Sequence, residues 1–406
     1  MRIKKLLPEL LPGAVSLSIA LTMASMFSTP AFADIFERNA RLGRGVNFGN
    51  ALEAPKEGEW GLTLKEDYFR LISEAGFKSV RLPIKWSGHA AAQSPFALDE
   101  TFLARIDWAV AQALKYGLAP IINVHHYDEM AVEPAAHKER WLGIWKQIAT
   151  HYQDQSKDVY FEIMNEPNGS LTAPLWNGFI KEALALIRAA NPDRAVIVGP
   201  VDWNNVGRLK DLVIPSEESN VIVTFHYYLP FQFTHQGAEW VTGSNAWLGT
   251  AWAEKDQAAV EKDFQTAKAY GDANKRPIQV GEFGSYSKAD QASRLRWTSF
   301  VARTAENSGF SWAYWEFGAG FGIYDSAAGK WREDLKNALV GPPLALAKTV
   351  MGAVSGPKPI RRIALDPAGR PASGLQVRSP GGRWTDLQGR PRNGGDPDQQ
   401  IAVPAR

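Results

Sequence analysis

Short apolar runs alternate with amphipathic segments along residues 44–340 of the chain. The apolar runs are rich in Val, Ile and Phe and lack a helical period, which is typical of strands buried on both faces. The predicted strands are Gly45–Gly49, Ser79–Ile84, Ala119–His125, Val159–Asn165, Ala195–Val201, Val221–Tyr227, Pro277–Glu282 and Ser311–Glu316. The predicted helices are Thr63–Ala75, Glu100–Tyr116, Lys138–Gln153, Trp176–Ala190, Ala253–Ala273 and Ala289–Ser308.

Eight strand–helix units in about 300 residues favour an α/β fold, and within it a (β/α)8 TIM barrel rather than an open sheet. Glycine follows several of the periodic segments, for example at Gly76 and Gly309, as expected where helices end. The weakest helical pattern is the fifth, which covers only Val206–Val213. In such a barrel the active site lies at the C-terminal ends of the strands.

The end of the fourth predicted strand carries the first candidate catalytic group. The stretch VYFEIMNEPN begins as an apolar strand and stops at Glu166-Pro167. Proline removes a backbone donor and disfavours the αR conformation at the preceding residue, so Glu166 should stand at the strand tip. Glu282, in IQVGEFG, ends the seventh strand. Two carboxyl groups that meet across the mouth of a barrel can do acid/base or nucleophilic work on a glycosidic bond.

Polar and aromatic side chains also cluster at the other strand ends. They are Asn50, Glu53, Arg81, His125, His126, Asn165, His226, Tyr228 and Trp315. Because the C-terminal ends of barrel strands share one face, we expect these side chains to surround Glu166 and Glu282. His125 and His126 are poor joint metal ligands, since neighbouring strand residues point to opposite sides. A plain packing role for His126 stays open.

The N-terminus has the form of a secretory signal peptide. A basic start, MRIKK, precedes an uncharged apolar segment, and Ala-Phe-Ala at 31–33 fits a small-residue cleavage site. The apolar segment is too short for a transmembrane helix. We therefore expect residues 1–33 to be removed, and the mature protein to be secreted to the periplasm or the medium without a membrane partner.

Charge balance argues against nucleic acid as a partner. The chain carries 45 basic and 43 acidic side chains, and removal of residues 1–33 leaves 42 of each. A neutral chain lacks the excess of basic residues that nucleic-acid binding requires. There is no cysteine, so the chain has no disulfide and no thiolate chemistry, and its stability must come from a large core. We expect a monomer without a cofactor or a metal.

Composition changes after Gly341. Residues 346–406 are rich in Pro, Gly and Arg, and Trp384 is their one aromatic residue. Such a composition is typical of a disordered tail. The predicted organisation is therefore a signal peptide at 1–33, a catalytic barrel at 34–345 and a basic, disordered tail at 346–406.

Six separate motifs, in chain order, resemble glycoside hydrolase family five. They are VRLPIKWS (80–87), NVHHYD (123–128), FEIMNEPNG (161–169), FHYYLP (225–230), VGEFGS (280–285) and AYWEFG (313–318). Two further segments, GVNFGNALEAPKEGEWG (45–61) and FTHQGAEW (233–240), are similar to bacterial endoglucanase and glucomannanase members of that family. The resemblance covers residues 40 to 340 and leaves out the tail.

On that resemblance Glu166 is the general acid/base and Glu282 is the nucleophile. The residues that it places around the reaction centre or the substrate are Asn50, Glu53, Arg81, His125, His126, Asn165, His226, Tyr228, Trp240 and Trp315. Among them Arg81 and Tyr228 hold the nucleophile, and Trp315 forms the floor of the −1 subsite. Trp240 as an ordinary loop anchor is the alternative to its role as a substrate contact.

A retaining mechanism needs one protonated and one ionised carboxyl group about 5–5.5 Å apart. Charge and hydrogen bonding from Arg81 and Tyr228 should keep Glu282 ionised, while burial and the nearby negative charge should raise the pKa of Glu166. Glu166 can then protonate the leaving oxygen and later deprotonate water, with overall retention. Asn165 would bind the sugar 2-hydroxyl.

The leading interpretation is a secreted, retaining endo-β-1,4-glucanase that acts on cellulose-like or mixed-linkage β-glucans. The main alternative is a β-mannanase or glucomannanase with the same mechanism, because these substrates differ in the orientation of the C2 hydroxyl. Two other classes stay open. One is a catalytically inactive carbohydrate-binding barrel, and the other is a metal-dependent barrel hydrolase that uses His125, His226 and carboxylates.

Overall fold

The computed structural model describes residues 34–342 and three two-residue strands further along the chain. These strands, at 377–378, 384–385 and 391–392, pair as a small antiparallel sheet. The predicted signal peptide and the rest of the predicted disordered tail lie outside the described residues, and both stay predictions. Among the described residues, the structure contains no helix of the length and apolarity that a membrane crossing requires.

Within residues 34–342, eight parallel strands close into one barrel in chain order, with the last strand paired to the first. They are β1 (Arg44–Asn47), β2 (Ser79–Leu82), β3 (Ala119–Asn123), β4 (Tyr160–Glu162), β5 (Val196–Val198), β6 (Val221–Tyr227), β7 (Ile278–Phe283) and β8 (Ser311–Tyr314). Apart from Arg44 all their residues are buried, because helices cover the outside and side chains fill the inside. The predicted (β/α)8 barrel is confirmed.

Helices form the outer layer of this barrel. They are α1 (Ile35–Leu42), α2 (Glu66–Glu74), α3 (Glu100–Lys115), α4 (Asp128–Val132), α5 (Pro134–His151), α6 (Ala173–Ala190), α7 (Val201–Asn204), α8 (Phe231–Thr234), α9 (Gln257–Asn274), α10 (Gln291–Asn307) and α11 (Glu333–Val340). Aspartate caps begin three of them; Asp99, for example, accepts a hydrogen bond from the backbone N–H of Phe102. The periodic segments thus became helices with ends within a few residues of the prediction.

The structure differs from the predicted pattern in three places. β4 ends at Glu162 rather than at Asn165, and Glu166 has a positive φ of 47° instead of the extended conformation expected before a proline. The fifth barrel helix is replaced by the single turn α7 and a 3₁₀ turn at Val206–Asp211. The helices α1 and α11 were not predicted, because their apolar patterns are only eight residues long.

α1 closes the end of the barrel at which the strands begin. Its Asn39 donates a hydrogen bond to the carbonyl of Ile278 and accepts one from the Ser311 hydroxyl, and these residues are the first of β7 and β8. The apolar side chains that α1 and the strands bury here form what we call the base cluster. Its members are Ile35, Leu42, Ala119, Ile121, Tyr160, Ala195, Ile197 and Ile222. In β5 the inward Ile197 alternates with Val196 and Val198, which pack in the outer layer, as the strand period requires.

Candidate active site

The two candidate catalytic glutamates meet at the C-terminal ends of the strands. Glu282 lies in β7, and Glu166 lies in the loop that follows β4. One oxygen of each carboxyl group and one ring nitrogen of His226 lie within 4.8 Å of one another. The side chain of Glu166 is 16% exposed and that of Glu282 is 6% exposed. Both groups are therefore largely withdrawn from water, and Glu166 is the more accessible of the two.

Local backbone geometry turns Glu166 into the site. The N–H of Asn165 still donates to the carbonyl of Val124 at 2.9 Å, so the chain follows β3 to this point. Glu166 then adopts a left-handed conformation with φ of 47°. Asn50 and His126 do the same at the ends of β1 and β3, with φ of 66° and 51°. Such conformations are costly for residues with a Cβ and are typical of sites where side chains must be aimed.

Arg81 forms hydrogen bonds with two of the acidic side chains and holds them in place. Its guanidinium donates to Glu282 Oε1 at 2.7 Å, to Asn165 Oδ1 at 2.7 Å and, through two parallel bonds of 2.6 and 2.7 Å, to Glu162. A fifth bond of 2.9 Å reaches Asn47 Oδ1. Arg81 itself is 0% exposed. It bonds the nucleophile candidate, as the resemblance implied, and its predicted contact with substrate stays a prediction.

Two groups besides Arg81 act on the carboxyl group of Glu282. The Tyr228 hydroxyl donates to Oε2 at 2.9 Å, and His226 Nδ1 lies 3.5 Å from the same oxygen. Burial raises the pKa of Glu282 above its ordinary value, and His226, Arg81 and the Tyr228 hydrogen bond act in the opposite direction. Burial and the charge of Glu282 likewise hold the pKa of Tyr228 well above its ordinary value, so that the phenol stays a donor.

His226 links the second glutamate to the barrel. Its Nδ1 lies 2.8 Å from Glu166 Oε1, and its Nε2 lies 3.2 Å from Nδ2 of Asn204. Burial lowers the pKa of His226 to about 4, so the ring is neutral at neutral pH. We call the five ionisable groups Arg81, Glu162, Glu166, His226 and Glu282 the rim cluster. Hydrogen bonds and ion pairs link their side chains to one another.

A line of aromatic rings runs outward from the centre of the site. Trp315 and His125 are parallel, with ring centroids 5.9 Å apart and an interplanar angle of 9°. His125 meets His126 edge to face at 4.5 Å, and His126 meets Trp60 in the same way at 5.8 Å. His125 is buried and also bonds Asn123 at 3.1 Å, whereas Trp315, His126 and Trp60 are partly exposed. The three exposed rings offer flat surfaces to a ligand.

The loop after β1 carries Asn50 and Glu53, which differ in their exposure to solvent. Asn50 is partly exposed, while Glu53 is completely buried and accepts hydrogen bonds from the backbone N–H groups of Asn50 and Ala51. Burial raises the pKa of Glu53 to about 8. Glu316, beside Trp315, is also completely buried with a pKa raised to about 8. Glu53 thus anchors its loop, and its predicted contact with substrate stays a prediction.

Trp240 lies on the loop after α8 and borders the site. Its ring packs against Tyr286 at 4.8 Å and Phe321 at 6.1 Å, and it remains partly exposed. The preceding residue, Glu239, accepts hydrogen bonds from the Tyr286 hydroxyl and from Lys288. The loop is therefore tied to the segment after β7. Both proposed roles of Trp240, anchor and substrate contact, agree with this position.

Sequence reasoning missed several residues of the site. Glu162 lies in the predicted fourth strand and had no predicted role. A charged residue inside a buried strand needs a partner, and this requirement could have identified its pairing with Arg81. Glu316 stood in a quoted motif without a role. His235, within the quoted segment FTHQGAEW, carried no predicted role; it is 8% exposed and stacks on Phe231 at 4.1 Å. Asn204 gave no signal, because nothing in the sequence places it beside His226.

The positions of three side chains are relevant to the alternative interpretation, a metal-dependent hydrolase. Among the described residues, Glu166, His226 and Glu282 form a group close enough to share one cation. These are the same atoms that bond each other and Arg81, so an ion would have to displace those hydrogen bonds. His125, which the sequence suggested as a ligand, is not part of the group. The arrangement fits a proton-transfer pair better than a ligand set.

The fold and the site together define a class of protein. A (β/α)8 barrel in which two largely buried glutamates converge at the C-terminal ends of the strands is typical of glycoside hydrolases. The family model for cellulase, glycosyl hydrolase family 5, matches residues 43–320. The chain belongs to this family.

Relatives and solved structures agree with that assignment. Endoglucanase H of Acetivibrio thermocellus is 36% identical over 322 residues, which are 78% of this chain and 34% of the relative. Cellulase/esterase CelE of the same organism is 31% identical, over 68% of this chain and 35% of the relative. The chain thus spans about a third of the length of these two relatives.

Among solved structures, Thermotoga maritima Cel5A in complex with mannotriose is 50% identical with a TM-score of 0.74, and the match covers 75% of this chain and 100% of that chain. A Cel5A structure in complex with cellobiose gives the same values. The cellulose synthase subunit Z of Clostridioides difficile is 39% identical with a TM-score of 0.71, over 73% of this chain and 99% of that chain. The whole barrel is therefore shared.

Proposed function

We propose that this protein is a secreted, retaining endo-β-1,4-glucanase that hydrolyses internal bonds of cellulose-like or mixed-linkage β-glucans. One observation carries the mechanism: an oxygen of Glu166 and an oxygen of Glu282 lie within 4.8 Å of each other. Retaining glycosidases hold their carboxyl groups about 5–5.5 Å apart, whereas inverting ones leave about 6.5–9.5 Å for a water molecule. The short separation of these oxygens supports the retaining arrangement.

Glu282 is the proposed nucleophile. Two donors, the Arg81 guanidinium and the Tyr228 hydroxyl, each bind one of its oxygens and stabilise the ionised form in spite of burial. Glu282 attacks the anomeric carbon, and Glu166 gives its proton to the glycosidic oxygen as the bond to the leaving sugar breaks. The glycosyl ester is then hydrolysed by a water molecule whose proton returns to Glu166. The products keep the anomeric configuration.

The remaining predicted site residues bind and orient the sugar in this proposal. Asn165, fixed by Arg81 through its Oδ1, presents its amide N–H groups to the 2-hydroxyl. Trp315 provides a flat floor below the reacting sugar ring. Partly exposed residues on either side extend the contact surface; they are Asn50, His126 and Trp240. Glu53 and His125 support these residues from the buried side.

Turnover variants test the two roles. Glu166→Gln and Glu282→Gln keep the shape of each side chain but remove its acid or nucleophile function. We expect each to lower kcat on barley β-glucan by about 10²–10⁴-fold, with oligosaccharide binding retained. Anomeric analysis of early products by NMR should report the β configuration. Unchanged turnover in Glu282→Gln would refute the assignment of Glu282 as nucleophile, and products of inverted configuration would contradict the mechanism. Sugar binding without any turnover in the parent protein would favour the inactive carbohydrate-binding barrel.

Glucomannan hydrolysis is a second candidate activity at the same site. It is favoured by the 50% identity to Cel5A, whose solved complexes include both mannotriose and cellobiose. Parallel reducing-sugar assays on carboxymethyl cellulose, barley β-glucan, glucomannan and galactomannan separate the possibilities. Activity on the two glucans alone supports the glucanase, and equal rates on galactomannan support a mannanase.

Independence from metal can be tested directly. We expect full activity after extensive treatment with a chelator, because Arg81 and the Tyr228 hydroxyl supply the stabilisation that a cation would otherwise give. A loss of activity that a divalent ion restores would favour the metal-dependent hydrolase.

Secretion and a monomeric state are also proposals. Secretion is supported by the order of residues 1–33, in which a basic start precedes an apolar segment and a small-residue cleavage site. Mass spectrometry of the protein from culture medium or periplasm should find Asp34 as the first residue. Light scattering of that material should give the mass of one chain. A retained N-terminus in the cytoplasm would contradict the expected export.

A further inference from the structure

The end of β5 carries an unusual turn. Three consecutive residues, Asp202, Trp203 and Asn204, have left-handed backbone conformations with φ of 58°, 60° and 53°. Left-handed residues with a Cβ are disfavoured and normally occur singly. Contacts to both sides hold the turn in place. The N–H of Trp203 donates to the carbonyl of Pro167 at 3.3 Å, and Asp202 forms an ion pair of 3.0 Å with Arg208.

The turn delivers one side chain into the rim cluster. Asn204 is 0% exposed, and its Nδ2 lies 3.2 Å from Nε2 of His226. The backbone of β5 leaves room for it, because a Cβ at Gly199 would collide with the Asn204 amide. Asn204 thus makes this contact from within a left-handed turn.

The hydrogen bonds around His226 determine which ring nitrogen carries the proton. A neutral imidazole has one N–H donor and one acceptor. Nδ1 lies 2.8 Å from Glu166 Oε1 and 3.5 Å from Glu282 Oε2, so it faces two carboxyl groups and is the nitrogen that must donate. Nε2 is then the acceptor and needs a donor of its own. The Asn204 amide N–H is that donor.

We propose that Asn204 is a positioning residue, which holds His226 in the Nδ1–H tautomer and thereby directs the acid proton of Glu166 to Oε2. The proposal rests on the acid role proposed above for Glu166. With Nδ1–H donating to Oε1, that oxygen is kept as an acceptor. The proton that passes to the glycosidic oxygen must then sit on Oε2. Asn204 touches neither the substrate nor Glu166 and acts only through the imidazole.

The charges around the ring make this tautomer sensitive to one substitution. The ionisable groups that act on His226 are Glu166, Glu162, Glu282 and Arg81, contributed by β2, β4, the loop after β4, and β7. Burial keeps the ring neutral, the acidic groups favour its cationic form and Arg81 opposes it. A carboxylate at position 204 would add a further anion directly at Nε2. The ring would then hold protons on both nitrogens.

Asn204→Asp and Asn204→Gly test the proposal, because both residues tolerate a positive φ. In Asn204→Asp the imidazolium beside Glu166 favours its ionised form, so the basic limb of the kcat/KM profile should move to lower pH by about one unit. Asn204→Gly removes the donor without adding charge. It should lower kcat about tenfold, leave KM unchanged and leave the basic limb near its original position.

The matched control is Asn205→Asp, which makes the same change of charge one residue further on. The backbone of Asn205 forms a bridge with that of His226, but its side chain accepts a hydrogen bond from the backbone N–H of Gly207, a role that Asp also performs. This variant should keep the parent pH profile. If Asn204→Asp and Asn205→Asp have the same profile as the parent enzyme, the proposal is wrong.

Nitrogen chemical shifts of isotope-labelled histidine give a readout that does not depend on turnover. The His226 signal, assigned by its loss in His226→Asn, should report the Nδ1–H tautomer in the parent enzyme and a doubly protonated ring in Asn204→Asp. An Nε2–H tautomer in the parent enzyme would overturn the proposal even if neither variant folds. Failure of the proposed function is distinct, since it appears as activity retained in Glu166→Gln.

Discussion

The two ends of this barrel are built on different principles. The base cluster is made of apolar side chains on α1 and on regular strands, all of them buried. The rim cluster, at the opposite ends of the same strands, consists of ionisable side chains that are almost as deeply buried. Several residues around it, Glu166 and Asn204 among them, have left-handed backbone conformations. Burial of apolar side chains at the base therefore stabilises the fold, whereas burial of ionisable groups at the rim costs stability and fixes the positions of those groups.

This contrast indicates how stability and chemistry are divided in the molecule. Burial of an apolar side chain stabilises a fold by about 1.5–3 kcal/mol, and its exact direction matters little to function. Burial of a carboxyl group costs free energy unless a partner is present, and the position of that partner decides its protonation. Arg81 is the partner that offsets this cost for two carboxyl groups, since it bonds Glu162 inside β4 and Glu282 inside β7.

The largest effect is expected from Arg81→Met, which removes the partner of two buried carboxylates. We expect the free energy of unfolding to fall by about 3–5 kcal/mol, because an uncompensated buried charge is left at Glu162. Activity should be lost as well, since Glu282 loses its cation. Guanidinium unfolding and β-glucan assays measure the two effects.

Arg44→Met is the matched control for Arg81→Met. Arg44 pairs with Glu306 at 2.7 Å, but both side chains are about one-third exposed, at 33% and 27%. Its loss should cost no more than about 1 kcal/mol, because water screens the pair, and should leave kcat unchanged. Equal destabilisation by the two variants would mean that burial does not distinguish the rim from the surface.

Leu42→Ala should separate stability from activity at the base. Leu42 is 0% exposed in the base cluster, and its truncation should lower the free energy of unfolding by about 3 kcal/mol through lost burial and a residual cavity. kcat and KM, measured well below the lowered Tm, should match the parent values. A kcat that falls together with stability would contradict the independence of the two ends.

The same division explains what could be predicted from the sequence. The alternation of apolar runs and helical stretches fixed the barrel, because burial of whole strands leaves a pattern that survives in one sequence. Proline after Glu166 correctly indicated that the chain leaves the strand near this carboxyl group, but not the left-handed conformation that Glu166 adopts in the loop after β4. Asn204 could not be found, because its turn is bonded to Pro167 and its side chain contacts His226, and these two residues are near it only in three dimensions.

The pH dependence of stability should carry the signature of the buried carboxyl groups. Glu53 and Glu316 have pKa values near 8 in the folded protein against an ordinary value of 4.5, so the folded state binds more protons between these pH values. Their contribution to stability is complete below pH 4.5 and is lost as the pH rises towards 8. Each group should therefore contribute a decrease of about 1 kcal/mol per pH unit in that window.

Glu53→Gln removes this dependence at one site and keeps the side-chain shape. Relative to the parent protein the variant should become more stable as the pH rises from 5 to 8, by about 1 kcal/mol per unit. Guanidinium unfolding at four pH values measures the difference. Parallel pH curves for the two proteins would show that Glu53 is ionised in the folded state across the range.

The smallest effect is expected at the outer edge of the rim, where a residue serves binding without strain or buried charge. Trp240→Ala should raise KM for a cello-oligosaccharide about tenfold, equivalent to about 1.4 kcal/mol, with kcat and Tm nearly unchanged. Trp247→Ala is the control, because Trp247 lies further along the same loop and packs on Phe231 at 5.9 Å. A lower Tm with unchanged KM in Trp240→Ala would identify Trp240 as a loop anchor. Substrate binding at this end of the barrel would then be confined to the residues that touch the reacting bond.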